Sequence, residues 1–153
     1  MNVTLFARDQ SRLAEVTAMG AHAIIGDARK VEDFDNVIAH FEDKEIHGVV
    51  HCVGSIALRP PHGMKVEDFS EVIETNLTTA FITLSKVGKK MLKSGGGRMV
   101  FVTSVAGSYG LTNHEAISAA KGGLEAMVRS AASTYAQRGI RVNAVAPGLT
   151  RTR

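Results

Sequence analysis

Five short apolar segments alternate with four helix-patterned segments along this chain, and that alternation constrains the fold more than any other feature. Val3–Phe6, Ala21–Ile25, Gly48–Val53, Met99–Thr103 and Arg141–Val145 read as strands. Between them, Leu13, Val16 and Met19 recur at helical spacing, and Gly20 is placed to stop that helix. Phe34, Val37, Ile38 and Phe41 make an i, i+3, i+4, i+7 stripe. A long helix keeps Val66, Phe69, Val72, Ile73, Leu77, Ala80, Phe81, Leu84 and Val87 on one face and ends at Gly95-Gly96-Gly97. That triplet lies after a helix and before a strand, so it reads as a stop and tight turn rather than a phosphate cradle. Asn113 is placed to cap the last helix, which runs on Ala116, Ala120, Leu124, Met127, Val128 and Tyr135 to Gly139. Gly48–Val53 has no polar alternation, which predicts a strand buried on both faces. A β-α-β-α-β-α-β-α-β order implies an α/β fold with a parallel sheet and helices on its faces.

At 153 residues the chain fits a single domain over 1–153, without linker, repeat or low-complexity segment. Lysine and arginine number 18 against 15 acids, but the excess is scattered and reads as a solvated surface, not a nucleic-acid face. Cys52 is the only cysteine, so no internal disulfide is possible, and its apolar neighbours predict a buried inert thiol. No apolar stretch reaches the roughly 18 residues that a membrane span needs, and the start does not read as a signal peptide. The expectation is a cytoplasmic protein, with no metal ligand set assigned.

Three motifs carry chemistry: Thr75-Asn76-Leu77; Val102-Thr103-Ser104, with Lys121 seventeen residues after Ser104; and Arg141-Val-Asn143-Ala-Val-Ala-Pro147-Gly148. Each is weak alone. In this order, on these predicted elements, the chain resembles the short-chain dehydrogenase/reductase family over essentially its whole length. The resemblance implies a Rossmann-like, three-layer α/β/α architecture. It also implies hydride transfer between a nicotinamide dinucleotide and a small carbonyl or alcohol substrate. By resemblance, Asn76, Ser104 and Lys121 are catalytic: Ser104 holds the substrate oxygen, and Asn76 supports a water-mediated proton path.

The fourth role is vacant. Family members carry a tyrosine thirteen residues after the serine and four before the lysine, and here that position is Ile117. A phenol with pKa of ~10 works as an acid–base group because a lysine one helical turn away favours the phenolate. An isoleucine cannot donate a proton. His114, seven residues before Lys121, shares its helix face if the helix already runs there, and its unperturbed pKa of ~6.5 suits proton transfer. Glu115 faces away by that count, and Tyr109 would have to fold back. A plain loop or cap role stays open for each.

Cofactor contacts are implied at Arg8, Asp27, Gly54, Lys121, Pro147, Gly148 and Thr152. Arg8 after the first strand, with no acid there to grip a ribose 2′-hydroxyl, favours NADP(H) over NAD(H), while a plain exposed arginine at a strand end stays open. His51-Cys52-Val53-Gly54 falls where the family has Asn-Asn-Ala-Gly, and only the glycine is kept. No glycine-rich phosphate turn occurs, so cofactor binding is expected to be weak or lost. Val3–Phe6 aligns with the family's second strand, and the first, which sits centrally in the Rossmann order, lies before Met1. The sheet is therefore incomplete, with about five strands. Three explanations are open: a truncated product or fragment, a compact sheet in which Val3–Phe6 pairs directly with Gly48–Val53, or a second chain filling the gap. The compact sheet is the expected structure. The family also implies a homodimer or homotetramer packed through helices 66–92 and 114–138, where Ala119, Gly122, Gly123 and Ala126 would allow close approach. Two functions follow: a short-chain oxidoreductase with impaired activity, or a non-catalytic relative acting through self-association. A nucleotide-sensing binder is a third, weaker reading.

Overall fold

The computed structural model of the chain describes residues 2–151. All five expected strands form, and all pair in parallel: β1 (Thr4–Ala7), β2 (His22–Ile25), β3 (Gly48–His51), β4 (Gly97–Val102) and β5 (Ile140–Val145). The helices are α1 (Ala14–Ala18), α2 (Val31–His40), α3 (Val66–Ile73), α4 (Thr79–Lys93) and α5 (Glu115–Tyr135). This is a Rossmann-like parallel α/β fold.

The strands do not make one sheet. β1 pairs only with β2, while β3, β4 and β5 form a separate sheet in that order. The expected compact sheet is therefore corrected: β1 and β3 are not partners. The β1–β2 unit is joined to the rest of the chain through its helical layer. Phe34 of α2 is buried with Ile82 of α4 and Ala28, against Phe6 of β1. Asp35 pairs with Lys86, and Lys90 donates to the Glu42 carbonyl oxygen at 2.8 Å. These contacts tie α2 and the turn after it to α4, beside the larger sheet.

The main core lies between that larger sheet and two helices. Ala80, Leu84, Val87 and Met91 of α4 and Leu124, Val128 and Ala131 of α5 bury Met99, Phe101, Ile140 and Val142. Alternate strand residues Arg98, Arg141 and Asn143 point to the opposite, exposed face. Val50 stands on that face too and is 64% exposed, so β3 is not buried on both sides as expected. The two helices that bury this sheet, α4 and α5, both lie on its other face.

Two local features set up the site. The glycine triplet does stop α4. Gly96 adopts φ 126°, and a Cβ there would stand 2.5 Å from the Gly139 carbonyl oxygen, so only glycine fits. The long helix expected over 66–92 is also interrupted, because Glu74–Thr78 forms a π turn. Asn113 does not cap α5; it has φ 62°, and His114 occupies the cap position.

Candidate active site

Asn76 lies in the π turn and is fully buried. Its Nδ2 donates to the Val72 carbonyl oxygen at 3.0 Å and to Ser55 Oγ at 3.1 Å, and its Oδ1 accepts from the Ser55 amide at 3.2 Å. Every polar atom is used, so the amide is fixed in orientation. Single π turns often mark functional positions because the extra residue redirects a side chain. Here Asn76 is redirected against the loop that follows β3.

Gly54 of that loop brings Asn76 and Lys121 together. A Cβ on Gly54 would stand 2.9 Å from Asn76 Oδ1 and 3.6 Å from Lys121 Nζ. Lys121 is 7% exposed and donates from Nζ to the Val102 carbonyl oxygen at 2.8 Å. Burial pushes its ammonium pKa down, and the neighbouring Cys52 thiol opposes that shift. Cys52 is itself exposed, correcting the expected buried thiol. It follows the last residue of β3, on the side that no strand covers.

Ser104 follows β4 and caps the short turn Val105–Gly107, its Oγ accepting from the Ala106 amide at 3.1 Å. That turn lies against α5: a Cβ on Gly107 would be 3.0 Å from the Gly122 amide nitrogen and from the Lys121 carbonyl carbon. The Pro147 carbonyl oxygen accepts from the Val105 amide at 3.1 Å, and Gly148 faces Val105. Ser104, Pro147 and Gly148 thus lie together beyond the ends of β4 and β5. Carboxyl ends of strands are where open α/β sheets place ligands.

Arg8 and Asp27 follow the carboxyl ends of β1 and β2. Arg8 is exposed. Asp27 is bound by Arg29, whose Nη2 lies 2.7 Å from Oδ2 and whose Nε donates to both carboxylate oxygens at 3.1 Å. That guanidinium holds the Asp27 pKa down to about 2, with a smaller contribution from Arg8. Thr152 lies outside the described residues.

Ile117 is 4% exposed and packs with Val72, Ala106, Ala116 and Ala120. His114 is the N-cap of α5: its carbonyl oxygen accepts from the Ser118 amide at 2.7 Å, and its Nδ1 lies 2.7 Å from the Thr112 carbonyl oxygen. Tyr109, 70% exposed, and Glu115 line an open groove with Ser108, Thr112 and Ser118, to which neither Asn76 nor Lys121 contributes.

Sequence reasoning passed over His51, Thr79 and Thr83. His51 is 4% exposed; its Nδ1 is 3.0 Å from Thr83 Oγ1 and its Nε2 3.2 Å from Thr79 Oγ1. Burial, and secondarily the charge of Lys121, pulls its pKa down to about 4. A histidine inside an apolar strand, with two threonines at i, i+4 downstream, was the available signal.

The sequence model described as enoyl-(acyl carrier protein) reductase matches residues 2–153. A 3-oxoacyl-[acyl-carrier-protein] reductase from Synechocystis sp. is 38% identical over 148 residues, 92% of this chain and 58% of that protein. A cyclohexanol dehydrogenase from Acinetobacter sp. is 30% identical over 148 residues, 94% of this chain and 59% of that protein. A crystal structure from Sinorhizobium meliloti, described as a short-chain alcohol dehydrogenase, superposes with a TM-score of 0.91 at 31% identity, over 99% of this chain and 63% of that one. The chain thus spans 58–63% of the length of these three proteins.

Proposed function

Because the chain belongs to the short-chain dehydrogenase/reductase family, we propose that it carries the lysine and substrate-oxygen side of an NADP(H)-dependent oxidoreductase site in which hydride transfer is strongly impaired. One observation carries the reading. Buried Asn76 and Lys121 converge on exposed Gly54, while Ile117 fills the proton-donor position with a hydrocarbon side chain.

A bound nicotinamide dinucleotide would supply the hydride. The residues offer its nicotinamide end a close backbone approach: Gly54, exposed and without a side chain, stands beside Asn76 and Lys121, and Pro147, Gly148 and Thr152 are assigned there by resemblance. They fit the pyrophosphate end poorly, since no glycine-rich turn offers backbone amides among the described residues. At the adenosine end Arg8 is exposed and able to meet a 2′-phosphate, whereas Asp27 is already committed to Arg29. Ser104 Oγ uses a lone pair on the Ala106 amide, leaving its hydrogen to donate to a carbonyl or alcohol oxygen. Lys121 would orient the cofactor ribose, and Asn76 would hold its place beside Ser55.

A fluorescence titration of the chain with NADPH, followed by turnover assays with an acetoacetyl thioester and with cyclohexanol, tests the proposal. Micromolar binding with turnover well below the ordinary enzyme range of roughly 1–1,000 per second is the expected result. Absence of binding at millimolar NADPH would sink the cofactor site, and ordinary turnover would sink the impairment.

The second reading, self-association without catalysis, is favoured by one surface. Phe81 and Leu92 on α4 are 58% and 45% exposed and Val66 on α3 is 74% exposed, while Ala119 and Ala126 are exposed on α5. Gly122 and Gly123 instead face the chain's own Gly107 and Leu77. A homodimer or homotetramer through 66–92 and 114–138 would cover these apolar side chains. Light scattering of the chain and of Phe81→Asp distinguishes it: a mass that falls to the monomer supports the reading, and a monomeric wild type defeats it.

A further inference from the structure

The contacts of His51 set a problem of hydrogen counting. Thr79 Oγ1 is 2.7 Å from the Thr75 carbonyl oxygen, and Thr83 Oγ1 is 3.0 Å from the Thr79 carbonyl oxygen. Each hydroxyl has a single hydrogen. If both point at these carbonyls, His51 faces two acceptors and must donate from both ring nitrogens as a cation. The site is 4% exposed, and the charged group acting on the ring is the ammonium of Lys121, so a second cation is disfavoured. A neutral ring has one N–H, so one threonine must turn its hydrogen to the ring and release its carbonyl.

Geometry selects which one. The Thr75 carbonyl belongs to the π turn, where the Thr79 amide reaches back five residues to the Glu74 carbonyl oxygen. The 2.7 Å hydroxyl contact is the shorter of the two. The Thr79 carbonyl lies at the start of α4, where the ordinary i to i+4 helix bond already serves it. Thr83 can therefore release its carbonyl at least cost.

We propose that His51 is a positioning residue: a neutral imidazole protonated at Nε2, it forms the hub of a one-way hydrogen-bond chain that holds the π turn presenting Asn76. Thr83 Oγ–H donates to His51 Nδ1, His51 Nε2–H donates to Thr79 Oγ, and Thr79 Oγ–H donates to the Thr75 carbonyl. The chain runs from the last residue of β3, through α4, to the residue before Asn76. It ties the strand end that leads into Cys52–Gly54 to the turn that Gly54 faces.

The inference deepens the reading of Asn76 as a site residue and rests on that reading only for its consequence in turnover. Its test needs no activity. In the 15N-labelled chain, long-range ring correlations of His51 should show Nε2 protonated and Nδ1 bare, unchanged from about pH 8 to about pH 5. Thr79→Val should shift the Asn76 side-chain amide signals, Thr79→Ser should restore them, and Thr83→Val should leave them in place while moving Nδ1. A ring protonated at Nδ1, or titrating near ~6.5, overturns the assignment. An Asn76 amide that ignores Thr79→Val, or that moves equally in both valine variants, overturns the coupling. The wild-type ring measurement decides the tautomer even where a variant does not fold. Failure of the ring test leaves the cofactor reading standing, and failure to bind NADPH leaves the ring test intact.

Discussion

Lys121 Nζ donates to the Val102 carbonyl oxygen across 2.8 Å, joining α5 to the last residue of a core strand. Lys121 is 7% exposed and its Nζ lies beside Gly54. Lys121→Met keeps the chain length and removes the charge. Relief of lysine burial and the orphaned carbonyl oppose each other, so the unfolding midpoint should move little. NADPH affinity should fall by about tenfold or more, the worth of one charge-assisted hydrogen bond. Paired thermal melts and fluorescence titrations would check both halves, and unchanged affinity would remove Lys121 from the cofactor site.

Gly54→Ala places a methyl 2.9 Å from Asn76 Oδ1. Asn76 cannot yield, because it is fully buried and makes three hydrogen bonds. The loop must move instead, at a cost of about 1–3 kcal/mol typical of overpacking. Urea unfolding should show that loss together with weaker NADPH binding. A neutral substitution would mean that the loop is free to shift.

Ile117 separates packing from chemistry. Ile117→Ala empties a well-packed site that is 4% exposed and should cost about 2–5 kcal/mol. Ile117→Tyr restores a phenol one helical turn before Lys121 and overpacks the cluster of Val72, Ala106, Ala116 and Ala120. Where the variant folds, turnover should rise by about 100-fold or more, the usual contribution of a placed general acid. His114→Ala should leave turnover unchanged, and a loss there would return the proton-donor role to His114.

Stability should fall on mild acidification because of His51. Its folded pKa, about 4, lies below the ordinary value of 6.5. Between those values the unfolded chain binds a proton that the native state excludes, so stability is full above 6.5 and declines as pH drops toward about 4. The loss is on the order of 3 kcal/mol. His51→Gln should flatten this part of the pH profile, measured by urea unfolding at several pH values. An equally steep profile in that variant would place the proton uptake elsewhere.

Much of the architecture was legible because it is written locally. Strand and helix periods follow from which side chains face a core, and Gly95-Gly96-Gly97 and Gly139 mark stops through their own backbone freedom. The motif residues were also legible as types in order, which led to the family. His114 shows where that reading runs out: it stands at the N-cap with its ring turned to the Thr112 carbonyl oxygen, a boundary the sequence could not place. The π turn at Glu74–Thr78 was not legible, since one extra residue in a turn leaves the apolar stripe nearly unchanged.

The sequence by itself determined the alternating parallel α/β plan, the family, and the absence of a phenol at position 117. Only the tertiary structure decided that β1 and β3 stay apart, with the β1–β2 unit joined to the larger sheet's helices through Phe34, Ile82, Asp35 and Lys86. It alone exposed Val50 and Cys52, whose expected burial depended on a neighbour that no local pattern specifies. It alone set His51 between Thr79 and Thr83, and Gly54 against Asn76 and Lys121. The physical reason is common to all of these. Periodicity encodes which way a side chain points along its own element, whereas edges, slots and shared hydrogens are settled between elements far apart in the chain.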